Sequence, residues 1–234
     1  MEKINEKTLL SLGLNATVLP SCDSTNEYAL RNGGVVFALS QTCGRGRNGR
    51  SFFSGEGGIY TSVAFERENG FVDVLNKKIP FEPATFTVAA GCAVCKLLAE
   101  YRFDASIKWV NDVFVGGKKV CGILAEGNDD YAVIGIGINY CSQIPTQLTN
   151  IAASLFGSSD GINVFAAKLY ESLYRELQNV DYNYYKSHCF TLGKTVSTNY
   201  GIGVAEDIEQ GYLIVNTEKG RIKVCAGEAI IINN

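Results

Sequence analysis

Residues 44–50 have the types and spacing of a loop that binds an anion. The segment is Gly44-Arg45-Gly46-Arg47-Asn48-Gly49-Arg50, and it follows an apolar run at residues 35–39. Glycines let the backbone take positive φ and approach a ligand closely. Arginines supply planar, permanently charged donors that match carboxylate and phosphate oxygens. A loop this charged contributes little to a core, so the pattern favours binding of a carboxylate or a phosphate.

Two other interpretations of this loop are open. The spacing Gly44-x-Gly46-x-x-Gly49 also satisfies the dinucleotide-binding fingerprint, which requires a helix that opens on its glycines. Residues 51–58 are instead rich in glycine and serine, and arginine side chains would crowd a pyrophosphate bound on bare backbone. The fingerprint is therefore disfavoured, while a solvated basic loop without a ligand remains an alternative for this segment alone.

Three further segments carry groups that could act on the same ligand. Lys108 and Asp112 place an amine and a carboxylate four residues apart at a strand end, although a strand-end lysine is usually a snorkelling surface residue. Gly135 and Gly137 leave one strand face without side chains, which either gives room for a flat ligand or marks a β-bulge. Phe52, just after the arginine loop, could pack in the core or stack on a base.

Composition excludes several classes of protein. The 234 residues are 46% hydrophobic with a net charge of −3, and this acidic balance argues against bulk binding of nucleic acid. No apolar run approaches the roughly 20 residues of a membrane span, and the charged N-terminus is not a signal peptide. Eight scattered cysteines lack the paired spacing of a zinc site and suit a reducing cytoplasm. The only histidine, His188, is a poor candidate for a catalytic base.

The elements that position these groups are predicted from hydrophobic periodicity and turn residues. Ser24 and Glu27 have the spacing of a capping box and begin a short helix that ends at Gly33, although the Ser24 hydroxyl could equally bind a polar ligand. Two longer helices with one apolar face each are predicted over 84–102 and 163–185. Strands are predicted over 35–40, 58–65, 106–110, 113–115, 118–126 and 131–139.

From about residue 192 the chain changes to short strands and turns. Five strands are predicted over 194–198, 203–208, 211–216, 220–224 and 229–232, a density typical of a small barrel. The predicted fold class is α+β, with a mixed β-sheet catalytic domain packed by helices over residues 1–188. A small C-terminal β-barrel is predicted over residues 189–234.

Five segments, in this order along the chain, resemble the biotin protein ligases. They are residues 24–26 (Ser-Thr-Asn), 41–50 (Q-x-x-G-R-G-R-x-G-R), 108–112 (Lys-Trp-Val-Asn-Asp), 119–126 (Lys-Val-Cys-Gly-Ile-Leu-Ala-Glu) and 135–139 (Gly-Ile-Gly-Ile-Asn). The arginine loop and the Lys-Trp segment are the most specific parts. The resemblance runs from about residue 21 to the C-terminus and implies a class II synthetase-like catalytic domain with an SH3-like barrel.

The resemblance implies a ligase that attaches biotin to protein in two steps. Biotin is activated with ATP to biotinyl-5'-AMP, and a lysine of a biotin carboxyl carrier protein then takes the biotinyl group and releases AMP. Mg²⁺ is implied as the cofactor that neutralises the triphosphate. The nearest alternative is a lipoate-type ligase with the same adenylate chemistry. A more distant one is a non-enzymatic nucleic-acid-binding module that uses the arginine cluster.

The family's functional residues are carried over by position. The groups implied to act on the reacting carboxylate and phosphate are Lys108, Arg45 and Arg47. Biotin binding is implied for Ser24, Thr25, Asn26, Gln41, Gly44, Arg45, Arg47, Lys108, Gly122, Gly135 and Gly137. Nucleotide binding is implied for Arg47, Arg50, Phe52, Asn111 and Asn139, and a metal contact for Asp112.

Two positions depart from the family pattern. Val110 stands where proline is usual, and Phe52 where tryptophan is common. We expect Val110 to relax the local backbone and Phe52 to stack less well on adenine. About 20 residues precede Ser24, too few for the winged DNA-binding domain of members that are also repressors, so no operator binding is expected. No membrane partner is expected, homodimerisation is left open, and the loop at 44–50 is expected to be mobile until biotin binds.

Overall fold

In the computed structural model, which describes residues 2–224 and 229–232, helices pack against two β-sheets. The helices within the described residues are α1 (Glu6–Ser11), α2 (Thr25–Asn32), α3 (Pro83–Glu100), α4 (Ile162–Gln178) and α5 (Tyr182–His188). The strands of the larger sheet are β1 (Thr17–Leu19), β2 (Gly34–Ala38), β3 (Ile59–Glu68), β4 (Phe71–Val74), β5 (Lys77–Pro80), β6 (Ala105–Lys108), β7 (Asp112–Val115), β8 (Lys118–Gly127) and β9 (Tyr131–Ile138). The smaller sheet contains β10 (Thr195–Thr198), β11 (Gly201–Glu209), β12 (Tyr212–Thr217), β13 (Gly220–Val224) and β14 (Ile230–Ile231).

The larger sheet places the predicted site glycines side by side. Its strand order is β1-β2-β3-β9-β8-β7-β6, with the β4–β5 hairpin attached to β3. All pairs are antiparallel except β1 with β2. Gly137 pairs with Gly122 on one side and Tyr60 on the other. Paired residues of antiparallel strands share a face, so Gly122 and Gly137 leave a continuous hollow there.

The opposite face of this sheet is the hydrophobic core. Ile134, Ile136 and Ile138 of β9 alternate with the glycines and are buried, as the period of two predicts. Helix α3 packs over β8, β9 and α4. It begins at Pro83, one residue before the predicted start at residue 84. By length and composition α3 could cross a membrane, but 67% of that window is buried inside the protein, which is the pattern of a core helix.

The prediction of a single helix over 163–185 is wrong, because the chain forms two helices there. Asn179 is extended at φ −156°, which ends α4. Asp181 then caps α5 by accepting a hydrogen bond from the Tyr184 amide at 2.9 Å. Apolar residues continue across this break and conceal it. Helix α1, strand β1 and the β4–β5 hairpin were not predicted.

The capping box predicted at the start of α2 is also wrong. Ser24 occupies the N-cap position, but its side chain makes no capping hydrogen bond. The Glu27 carboxylate pairs with Arg45 and Arg31 instead.

The five predicted C-terminal strands are confirmed, and they form an antiparallel sheet in the order β13-β12-β11-β10-β14. Within the described residues the two end strands do not pair, so this sheet is not closed into a barrel. It is fastened to the first domain: Trp109 Nε1 donates to the Gly211 carbonyl at 3.0 Å, and Lys186 pairs with Asp207 at 2.6 Å. The domain boundary at residue 189 stays a prediction, and Cys225 lies outside the described residues.

Candidate active site

The arginine loop is a small hairpin that hydrogen-bonds to itself. The Gly46 amide donates to the Arg50 carbonyl at 2.7 Å, and the Phe52 amide donates to the Gly44 carbonyl at 2.8 Å. A 3₁₀ turn, Arg47–Gly49, forms its tip. A Cβ on Gly44 would lie 2.4 Å from the Phe52 carbonyl oxygen, so the close approach of the two arms requires glycine. The predicted mobility of this loop stays a prediction.

The first turn of α2 is tied to the end of β2 through Gln41. The Gln41 amide oxygen accepts from the Thr25 amide at 2.8 Å and from the Thr25 hydroxyl at 3.1 Å. Its Nε2 donates to the Ser54 hydroxyl at 2.8 Å. Gln41 thus satisfies one of the unpaired N–H groups at the helix start and fixes Thr25 beside Ser24.

The side chain of Asn26 accounts for the glycine at position 135 of β9. The sequence predicts that Gly135 leaves room for a ligand, and the structure gives a different reason. Its Oδ1 accepts from the Ser62 hydroxyl at 2.7 Å, and its Nδ2 donates to Glu126 Oε1 at 2.8 Å. A Cβ on Gly135 would lie 2.0 Å from Asn26 Oδ1. Gly135 borders the site, but the space that it leaves is filled by Asn26 rather than by a ligand.

The hollow over the other two glycines is filled by the protein itself. A Cβ on Gly137 or on Gly122 would come within 2.7 or 3.0 Å of the Phe52 ring. Phe52 also packs edge-on against Tyr60, with ring centroids 6.4 Å apart. The space that remains is about 40 Å³, far below the roughly 300 Å³ of a small-molecule pocket. Its lining residues are Ser24, Thr25, Asn26, Gln41, Arg45, Gly46, Phe52, Asn111, Lys119, Gly122, Ile123, Leu124, Gly135, Ile136 and Gly137.

A larger cavity, about 360 Å³, adjoins this small one and is strongly cationic. Its described lining consists of Gly46, Arg47, Arg50, Ser51, Phe52, Lys108, Trp109, Asn111, Asp112, Lys119, Ala229 and Ile230. Four of these side chains are cations and one is a carboxylate. Such a surface suits a polyanion such as a triphosphate. The structure therefore brings Arg47, Arg50, Lys108 and Asn111 together, as predicted.

Lys108 and Arg47, two cations of the larger cavity, form no ion pair with a carboxylate of the described residues. Lys108 lies opposite Asp112 in the β6–β7 register, yet no described carboxylate lies within ion-pair distance of its amine. Desolvation by burial lowers the pKa of the Arg47 guanidinium, while Asp112 and Tyr185 oppose the shift. A guanidinium stays charged under such conditions, so Arg47 offers a partly desolvated positive charge.

Lys119 is a site residue that the sequence analysis did not assign. It lines both cavities, and its Nζ lies 5.5 Å from the Phe52 ring centroid. The amine pairs with Asp112 Oδ1 at 2.8 Å, so the carboxylate predicted to contact a metal is occupied by an amine here. The sequence feature that could have identified Lys119 as a site residue is its position as the first residue of the segment 119–126.

Two of the residues predicted to act on the phosphate or the nucleotide lie apart from the larger cavity. Arg45 lines only the smaller one and pairs with Glu27 and Glu126. Asn139 is 5% exposed and lines neither cavity. Its backbone N–H donates to the Val120 carbonyl at 2.8 Å. The structure thus places Arg45 and Arg47 in different cavities, and it does not place Asn139 in the lining of the larger cavity.

The expected relaxation of the backbone at Val110 stays a prediction. The Tyr185 hydroxyl donates to the Val110 carbonyl at 2.8 Å, and the Trp109 amide donates to the Thr191 hydroxyl at 2.9 Å. These bonds hold the segment firmly, and the Trp109–Val110 peptide bond is cis.

The fold and the paired cavities suit a protein that binds a small molecule next to a polyanion, and sequence comparison identifies the family. The sequence profile of the biotin/lipoate A/B protein ligase family matches residues 17–139, more than half of the chain. The chain therefore belongs to the biotin/lipoate A/B protein ligase family.

Individual relatives point to the biotin branch of this family. A biotin–[acetyl-CoA-carboxylase] ligase of Mycobacterium tuberculosis is 30% identical over 220 residues, covering 85% of this chain and 79% of the relative. The bifunctional ligase/repressor BirA of Bacillus spizizenii is 29% identical over 84% of this chain, which spans only 65% of that relative. A biotin protein ligase from Aquifex aeolicus, solved in complex with biotin and ATP, superimposes with a TM-score of 0.75 at 26% identity, covering 94% of this chain and 99% of that one.

Proposed function

We propose that this protein is a biotin protein ligase, which activates biotin with ATP to biotinyl-5'-AMP and transfers it to a lysine of a biotin carboxyl carrier protein. One observation carries the proposal. The small polar cavity and the larger cationic cavity share a wall, and Lys119 lies in that wall. An acid bound in one cavity and a nucleotide bound in the other would meet at this amine.

The smaller cavity suits the ureido ring of biotin. Ser24 and Thr25 present two hydroxyls at the start of α2, and the Ser24 side chain is not used to cap that helix. A ureido group carries both donors and an acceptor, so hydroxyls that can do either are suitable partners. Entry of the ring requires Phe52 to leave Gly122 and Gly137.

The first step joins two anions, and the cations of the shared wall make this feasible. At about 4 Å two unit charges repel by about 1 kcal/mol in water but by about 4 kcal/mol at an effective dielectric of 20. Lys119 and Arg47 would offset this repulsion as a carboxylate oxygen of biotin attacks the α-phosphorus. A P–O bond forms, the bond to the β-phosphate oxygen breaks, and pyrophosphate leaves. Preorganised charges stabilise such a transition state without rearrangement.

The second step transfers the biotinyl group. The neutral amine of the carrier lysine attacks the acyl carbon of the mixed anhydride, the C–O bond to AMP breaks, and the amine gives up a proton as the amide forms. Lys108 and Arg47 would stabilise the departing phosphate, since both line the larger cavity.

Mg²⁺ is part of the proposal as a partner of the nucleotide. Within the part of the chain that the structure describes, no group of three or more His, Cys, Asp or Glu residues could hold a metal. Mg²⁺ is commonly bound by one or two carboxylates together with substrate phosphates, and Asp112 is the single carboxylate of the described lining. The residues fit an ion that arrives with ATP, and when bound it would offset charge on the triphosphate.

A cytoplasmic location is also proposed. All seven cysteines in the described residues are free thiols, which suits a reducing compartment.

The decisive experiment supplies purified protein with ATP, Mg²⁺, a biotin carboxyl carrier domain and either biotin or lipoate. We expect ATP–pyrophosphate exchange and a mass increase of the carrier domain with biotin, and neither with lipoate. A carrier domain whose acceptor lysine is replaced by arginine is the control. Exchange driven by lipoate but not by biotin would overturn the proposal.

A further inference from the structure

The Arg45 side chain is held between carboxylates from two different elements. One guanidinium nitrogen pairs with Glu27, on the first turn of α2, and the other pairs with Glu126, near the end of β8, at 3.3 Å. The three side chains are 43%, 33% and 23% exposed, respectively. Both described partners of this guanidinium are carboxylates, and Glu27 also pairs with Arg31, so Arg45 is not a free cation for the reacting anions.

Glu126 is itself fixed from within the protein. Its Oε1 accepts from Asn26 Nδ2 at 2.8 Å, while Oε2 faces Arg45. Asn26 is 4% exposed and accepts from the Ser62 hydroxyl, which is fully buried. Gly135 provides the room for Asn26. The anchor for Arg45 is therefore a buried polar network that runs from the sheet to the surface.

The position of Arg45 governs the arginines that follow it. The arms of the hairpin are joined on either side of Arg45 by the hydrogen bonds of Gly46 to Arg50 and of Phe52 to Gly44. Arg45 also forms an isolated antiparallel bridge with Ser51. When Arg45, at the base of the hairpin, is held in place, the position of the hairpin tip is also set. Arg47 lies at this tip and lines the larger cavity.

We infer that Glu27 and Glu126 are positioning residues, which clamp Arg45 at the root of the loop and so place Arg47 in the nucleotide cavity before ligands bind. The inference rests on the proposed function for its kinetic consequences, but the clamp itself does not. Each partly exposed ion pair shifts an open–closed equilibrium by about two- to fivefold. Loss of both pairs should therefore raise the open population by about tenfold.

The test uses Glu27→Gln, Glu126→Gln and the double variant, each compared with wild type by trypsin cleavage in the loop and by biotin-dependent ATP–pyrophosphate exchange. Trypsin is suitable because the loop contains three arginines. For the double variant we expect loop cleavage without ligand to become up to about tenfold faster. The KM for biotin should rise by no more than about twofold, because a roughly tenfold rise of a minor open population still leaves about half of the molecules closed. We expect kcat at saturating biotin and ATP to fall less than twofold, because bound ligands restore the closed loop.

The matched control is Arg31→Gln. It removes the ion pair between Arg31 and Glu27 at 3.4 Å but leaves both pairs of Arg45, so loop cleavage and KM should stay at wild-type values. Unchanged cleavage in the double variant would overturn the inference, and so would a loss confined to kcat, which would place these carboxylates in the chemistry. If wild type shows no biotin-dependent exchange, the proposed function fails, while the cleavage comparison still decides whether the clamp exists.

Discussion

The Phe52 ring lies against Gly137 so closely that a Cβ on this glycine would come within 2.7 Å of a ring carbon. The ring occupies the hollow that the glycines of β8 and β9 create. If biotin binds in this hollow, as proposed, it competes with Phe52 for the space, and its binding includes displacement of the ring.

We predict that Phe52→Ala speeds the association of biotin. If the ring fills the hollow about 90% of the time, its removal raises the apparent association rate by up to about tenfold. Stopped-flow binding of biotin in the absence of ATP measures this rate. Phe53→Ala is the control, since Phe53 lines neither cavity of the site. An association rate equal to wild type would show that the ring is no obstacle.

Two glycines of β9 on the same face should respond differently to alanine. In Gly135→Ala the new methyl group would lie 2.0 Å from Asn26 Oδ1, inside a buried hydrogen-bonded network, so we expect a loss of about 3 kcal/mol in the free energy of unfolding. In Gly137→Ala the methyl group meets only the Phe52 ring, which can turn away, and the loss should stay below about 1 kcal/mol. Urea denaturation compares the two, and equal losses would contradict this account.

The two lysines of the site should have separable roles. Lys119 lines both cavities and Lys108 only the larger one. We predict that Lys119→Ala weakens biotin binding measured without ATP and also reduces ATP–pyrophosphate exchange about 100-fold. Lys108→Ala should reduce exchange while the affinity for biotin stays unchanged. Calorimetry with biotin alone separates these outcomes, and weaker biotin binding by the Lys108 variant would show that this lysine reaches the acid.

Attachment of the smaller sheet should depend on pH through Asp207. The hydrogen bond from Lys186 lowers the pKa of Asp207, so this contact stabilises the protein above the unfolded pKa of about 3.9 and is lost as the pH falls through the folded value. We predict that Asp207→Asn lowers Tm at pH 7, and that the difference from wild type shrinks steadily below about pH 4. Glu209→Gln on the same strand should show no such convergence. A difference that is independent of pH would mean that the ion pair is not responsible.

Much of the fold follows from local sequence, because isoleucine alternates with glycine in β9 and the buried residues of α4 recur three and four apart. The break between α4 and α5 does not, since apolar spacing continues through Asn179 and Asp181 while the backbone turns. The gathering of Arg47, Lys108 and Asn111 was predictable from a family resemblance. Three details could not be predicted because they depend on contacts between distant segments. They are the packing of Asn26 against Gly135, the position of the Phe52 ring over Gly122 and Gly137, and the pairing of Arg45 with Glu126.

Trp109 lies in the wall of the larger cavity, and its indole N–H donates a hydrogen bond to the Gly211 carbonyl of the smaller sheet. Ala229 and Ile230, also from the C-terminal region, complete that wall. The C-terminal region is thus a structural part of the pocket. Any displacement of this sheet would change the shape of the space proposed for ATP, so both sheets contribute to one surface.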